Sequence, residues 1–333
     1  MADIAAAPRP GPGPAPLSHG RLEHFPVTFF AIVMGLMGLA LAVHAASKAY
    51  GLGHQAFEVV LAAAVGSFAL ILLGYLAKAL RHPAAMAAEW AHPVRIAFFP
   101  AISISTLLLA TALLPVAPGV ADWVWMLGVA AQGALALAVI GAWIGHRPFQ
   151  TPHLSPAWFI PAVGNVIVPI AGVPLGHVEL SWLFFSAGLM FWVVLLTLVV
   201  NRLMFHEPMP GKLAPTLTIL IAPPAVAYVA WLRLAGEPGA FGHILLSLGY
   251  VFALIVLMQV GRFRGIPFAL SWWALSFPVA ALSIASFAHA GAAQSEAHRL
   301  IGAGLLALLA AIVAFLLART LYAIATRGIC VPE

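Results

Sequence analysis

Charge is what this chain has least of. Only 8% of its 333 residues are Asp, Glu, Lys or Arg, against about 25% in a soluble domain. A water-exposed globule is thereby excluded. Cysteine is nearly missing too: Cys330 stands alone, so no disulfide can form within the chain, and Cys330 reads as a tail thiol without a role. Phosphate-binding signatures are missing: there is no G-x-x-x-x-G-K-[ST] run and no Rossmann fingerprint, which argues against ATP-driven transport by this chain alone. Acids are missing where a proton-coupled carrier keeps them, inside its spans. Asp3, Glu23, Glu58, Glu89, Asp122, Glu179, Glu207, Glu237, Glu296 and Glu333 all fall in tails, in loops or within about one turn of a span end. A carboxylate relay is therefore poorly supported, and a passive path lined by small and hydroxyl residues fits better.

Histidine is plentiful, at thirteen residues, but no two share a metal-ligand spacing on one helix face. His289 and His298 are too loosely connected in sequence to count as a site. No cofactor, metal or nucleic-acid partner is implied, and the chain is not read as an enzyme.

What the chain has in abundance is apolar sequence. Hydrophobic residues make up 63%, with a mean hydropathy of +1.04. A bilayer core of about 30 Å takes about 20 apolar residues per helix. Spans are expected at 25–47, 55–80, 94–116, 119–145, 157–174, 178–203, 213–235, 241–261, 268–291 and 296–326. The fifth, AWFIPAVGNVIVPIAGVP, is short and carries two prolines and Asn165, so it reads as a broken helix. Six tryptophans near span ends (Trp90, Trp123, Trp125, Trp158, Trp182, Trp231) suggest an aromatic belt. Residues 1–24 are rich in Ala, Pro and Gly and read as a disordered tail, 25–326 as the membrane domain, and 327–333 as a short second tail.

Proline divides the spans into two classes. It sits in or at the head of the odd-numbered spans, at Pro26, Pro100, Pro161, Pro169, Pro215, Pro223, Pro224 and Pro278, and in no even-numbered interior. Proline removes a helical hydrogen bond, and in a membrane the loss is tolerated only where other groups or water restore it. The alternation predicts an all-α membrane protein of ten transmembrane helices arranged as five helical hairpins. One class of helix lines a central path and the other faces lipid. The odd spans also supply candidate path-lining polar groups, foremost Ser105, Asn165, Thr218 and Ser276.

Lysine and arginine set the orientation. Arg9, Arg21, Lys78, Arg81, Arg95, Arg147, Arg202, Lys212, Arg262, Arg264, Arg319 and Arg327 share one side, while Lys48, Arg233 and Arg299 lie on the other. The positive-inside rule then places both termini in the cytoplasm, in the inner (plasma) membrane. The net charge of +5 gathers at one mouth, where it raises the local anion concentration.

Five stretches resemble, in order, the slow-anion-channel family, also called the tellurite-resistance/dicarboxylate-transporter family. They are FPVTFFAIVMGLMGLALA, HPVRIAFFPAISIST, PAWFIPAVGNVIVP, IAPPAVAYVAWL and SWWALSFPVAALSIASFAHA. The resemblance implies five hairpins around a quasi-fivefold central pore, a homotrimer with one pore per subunit, and passive permeation of small anions such as chloride and nitrate. It also implies a phenylalanine plug on the ninth helix, which the motif LSFPVA places at Phe277. Some names in that family imply instead a secondary transporter or exporter of C4-dicarboxylate, sulfite or tellurite oxyanions. Plant members carry long phosphorylated tails, whereas about two dozen residues precede the first span here, so gating through tails is not expected.

Overall fold

The computed structural model describes residues 20–145 and 149–330. The expected N-terminal tail lies outside them except for 20–24, where Arg21–His24 form a turn. Arg9, Asp3, Arg147 and Glu333 also lie outside the described residues.

The described residues form an all-helical protein. Among the described residues nine helices are long and apolar enough to cross a membrane. In the numbering of the expected spans, the first four are Val27–Tyr50, Gln55–Arg81, Arg95–Leu113 and Pro118–Ile144, and the sixth and seventh are Val178–Phe205 and Gly211–Ala235. The eighth to tenth are Gly239–Met258, Leu270–Ala293 and Glu296–Ala325. The expected fifth span is the shorter apolar segment Pro156–Gly172. It is broken as the sequence suggests, with α turns at Phe159–Val163 and Val168–Gly172 separated by 3-10 geometry at Gly164–Ile167.

The two proline classes have a definite structural form. Every odd span opens in 3-10 geometry and then turns α-helical, while every even span is α-helical throughout. The 3-10 pieces are Val27–Phe29, Arg95–Phe98, Pro156–Trp158, Gly211–Ile221 and Leu270–Leu275. A helix's first turn has N–H groups with no intrahelical partner, so proline is harmless there. Pro169, Pro223 and Pro278 each stand in the first turn of an α segment, and Pro100 caps one. Breaking the α pattern partway along the span creates these tolerant positions.

Burial separates the same two classes. In the most apolar stretch of the four long odd spans, 61–83% of residues are buried, against 22–28% in the even spans. Each odd span packs on the even span that follows it. The odd spans also pack on one another in order, first on third, third on fifth, fifth on seventh, seventh on ninth, and ninth back on first. The inner helices thus close a ring, and the even helices sheathe it with exposed apolar side chains such as Leu70, Leu137 and Leu254. Trp125 departs from the belt expectation. It is fully buried, donates from Nε1 to the Val168 carbonyl at 2.9 Å and stacks on His177.

The first span lies tight against the ninth. A methyl group at Gly38 would sit 2.8 Å from Cβ of Ala280, inside van der Waals contact. Gly38→Ala is therefore expected to cost about 1–3 kcal/mol through forced separation of packed helices. Gly66→Ala, on the second span with nothing within 4 Å, is the control. Equal thermal midpoints for the two variants in detergent would show that the approach is not restrictive.

One polar knot joins the start of the ring to its sheath. Glu89 lies on a short helix, Pro83–Ala91, between the second and third spans. Sequence position groups it with loop acids, yet it is only 3% exposed. One carboxylate oxygen accepts the Val27 N–H at 2.7 Å, an end-of-helix donor with no intrahelical acceptor. The other accepts from Lys78 Nζ at 2.7 Å and Tyr75 Oη at 3.1 Å. Lys78, itself 3% exposed, also donates to the Phe25 carbonyl at 2.8 Å. Cys330 lies near this end, where burial pushes its thiol up against the opposing charges of Arg21 and Lys78.

Candidate functional site

All five odd spans meet around one small cavity. Met34 comes from the first, Ile104 from the third, Val163 from the fifth, Val226 from the seventh and Phe277 from the ninth. Its volume is about 30 Å³, enough for roughly one or two waters. Its wall is apolar, and apolar cavities of this size stay dry. An anion at this point would leave its hydration shell without protein groups to replace it, which is a steep barrier. The cavity lies where the five ring spans meet. A larger open recess of about 430 Å³ lies between Trp182, Trp231 and Phe241 of the sixth, seventh and eighth spans, away from this centre.

Of the sequence-predicted residues, Phe277 and Pro223 stand on the cavity wall. Pro278 follows Phe277 in the first α turn of the ninth span, and Pro26 precedes the first 3-10 turn. Pro100 marks the junction in the third span, and Pro161 and Pro169 sit in the two α turns of the fifth.

The four candidate polar residues are held elsewhere. Ser105 Oγ donates to the Ala101 carbonyl at 2.7 Å, and Ser276 Oγ to Trp273 at 2.6 Å. Thr218 Oγ1 donates to the Pro215 carbonyl. All three hydroxyls are buried and satisfy nearby backbone rather than line the cavity. Membrane-helix hydroxyls commonly bond this way.

Asn165 belongs to a buried amide network whose centre the sequence analysis did not single out. Gln132, in the middle of the fourth span, is completely buried. Its Nε2 donates to Asn165 Oδ1 at 3.1 Å and to the Pro161 carbonyl at 3.0 Å. Its Oε1 accepts from Ser103 Oγ at 2.7 Å. One sheath residue thus ties together two ring spans where the fifth changes geometry. Gly164 makes room for it, because a Cβ there would meet Gln132 Nε2 at 2.7 Å. A lone amide at the centre of an apolar span was the available signal. Gln132→Leu leaves the Asn165 and Pro161 oxygens without this donor, and a loss of about 1–3 kcal/mol is expected. An unchanged thermal midpoint would show that the network is not structural.

The fold also gathers histidines that sequence spacing keeps apart. The rings of His289 and His298 are 4.3 Å apart, and His243 lies 5.2 Å from His289. Tyr228 Oη is 2.6 Å from His289 Nδ1. No group of three or more metal-binding side chains with metal-holding geometry occurs among the described residues.

A ring of broken helices around a small apolar cavity, sheathed by straight apolar helices, defines an all-α integral membrane protein. Comparison with known proteins agrees. The family described as voltage-dependent anion channel (SLAC1) matches residues 24–321, and the chain belongs to that family. It is 30% identical to the S-type anion channel SLAH3 of Arabidopsis thaliana, over 74% of this chain and 39% of the relative. It is 27% identical to SLAH2 of the same plant, over 84% of this chain and 55% of the relative. A tellurite resistance protein TehA homolog of Haemophilus influenzae is 27% identical, over 81% of this chain and 83% of the relative. The chain thus spans about two fifths to just over half of the two plant channels' lengths.

Proposed function

We propose that this chain is a passive channel for small inorganic anions, chloride and nitrate among them. The path runs along the axis of the odd-span ring, quasi-fivefold in arrangement, and Phe277 holds it shut. The observation that carries this reading is the position of Phe277 on the wall of a cavity to which all five odd spans contribute. A benzyl group there blocks the path sterically and keeps it dry, so permeation requires the ring to move aside. The prolines support the reading, since Pro223 lies on the cavity wall and Pro278 follows Phe277 in the first α turn of its span.

Both termini face the cytoplasm and the protein lies in the inner (plasma) membrane, supported by the lysine and arginine excess at that end. That excess draws anions to the cytoplasmic mouth without a tight site, as a conducting pore requires. Three copies assemble with one pore each, an inference from family resemblance. The TehA homolog's name favours a second reading, an exporter of tellurite or related oxyanions. The apolar cavity wall, with no carboxylate on it, weighs against a proton-coupled version.

Voltage clamp in asymmetric chloride and nitrate tests the proposal. Currents should reverse near the anion equilibrium potential and show no proton or sodium dependence. Saturable oxyanion flux coupled to protons, with no anion current, would replace the channel reading by the carrier one.

A further inference from the structure

The end of the bundle away from the termini carries charges of both signs, and the helices sort them by radius. Glu58, Asp122, Glu179 and Glu296 lie near the starts of even spans, and Glu237 lies in the loop after the seventh span. Even spans form the sheath, so four of the five acids stand on the rim. Three basic residues share this end. Arg299, on the tenth span, is paired with Glu296 and lies 5.1 Å from the centre of the Tyr50 ring. Lys48 and Arg233 instead belong to ring spans, the first and the seventh.

Both are exposed, and among the described residues neither forms an ion pair. Helical phase puts each on roughly the same face as a cavity residue of its own span, within about 40°. Lys48 stands about four turns beyond the cavity residue Met34, and Arg233 about two turns beyond Val226. Each therefore continues the cavity-lining face of its own helix toward this mouth. His44, one turn before Lys48, stacks on His54 with ring centroids 5.7 Å apart. The first and seventh spans are not consecutive in the ring, so these charges converge from different sides of the opening.

We propose that Lys48 and Arg233 form an outer collecting site for monovalent inorganic anions, above the constriction at Phe277. This inference rests on the channel reading. Solvent exposure keeps the site weak. An anion there retains much of its water, its local concentration rises, and it leaves easily in either direction. The acids on the rim repel anions from the surrounding surface, which concentrates entry on the axis.

The test measures anion entry from the outer side, seen as outward current, in the unsubstituted protein and on a Phe277→Ala background. With external chloride near 10 mM the Debye length is about 30 Å, and near 1 M it is about 3 Å. Lys48→Gln and Arg233→Gln should each lower entry about threefold at the lower concentration, and the deficit should vanish at the higher. Arg233→Lys should preserve entry, and Arg299→Gln should leave it unchanged. Impermeant salt added only outside should mimic the neutralised variants in unsubstituted protein, which requires no substitution to fold. Anion current that is indifferent to both substitutions and to external salt would overturn the collecting site while leaving the channel intact. No anion current in either background would overturn the channel reading itself.

Discussion

Phe277→Ala should raise anion current roughly ten- to hundredfold, the rate ratio for about 1.4–2.7 kcal/mol off a barrier. Truncation removes the ring from a cavity of about 30 Å³, opening space for water where an anion had to travel dry. Collapse onto the vacancy is limited because the other walls are held. The fifth span is pinned through Gln132, the seventh turns α at its prolines beside the cavity, and the first lies tight on the ninth. The cost to folding should be smaller than for a fully buried phenylalanine, because Phe277 is only partly buried. Phe287→Ala makes the contrast. Phe287 is 4% exposed, packs under Gly302 and is not on the cavity wall. Its loss should destabilise by about 3–5 kcal/mol and leave conduction per folded channel alone. The decisive readout is current per protein at the membrane. A wild-type level in Phe277→Ala would remove the gate from this residue.

Glu89→Ala should lower stability by about 3–5 kcal/mol. The truncation leaves the Lys78 ammonium buried without its carboxylate and strips the Val27 N–H of its acceptor. Both faults fall where the first span enters the ring. The double variant Lys78→Met with Glu89→Leu should recover most of the loss, because two apolar groups replace a desolvated pair that stabilises little by itself. The monodisperse fraction after a temperature ramp in detergent measures both. A double variant as unstable as the single would show that the hydrogen bonds Glu89 accepts from Val27 and Tyr75, not the unpaired Lys78 charge, carry the loss.

Much of this architecture was legible from the chain. Nine of the ten expected spans reappear as long apolar helices, because lipid imposes a length and polarity rule that composition alone reports. The inner and outer classes were legible through proline, since only a partnered interior tolerates a broken backbone. The site was read less evenly. Phe277 was reached through its motif, and the structure puts it on the cavity. Ser105, Thr218 and Ser276 were chosen as polar residues on inner spans, but a hydroxyl one turn from a free carbonyl bonds that carbonyl. Residue type does not reveal which way the side chain turns.

Sequence by itself determined the all-helical membrane character, the position of nine long apolar helices and the division of the helices into two classes. These follow from local properties: hydropathy over a window and the missing N–H of proline. Tertiary structure alone decided that the ring closes from ninth span to first and that five apolar side chains meet at one dry point. It also decided that Gln132 and Glu89 are buried partners of residues on other spans. Those facts depend on contacts between residues far apart in the chain and on helical phase across separate spans, which no local window records.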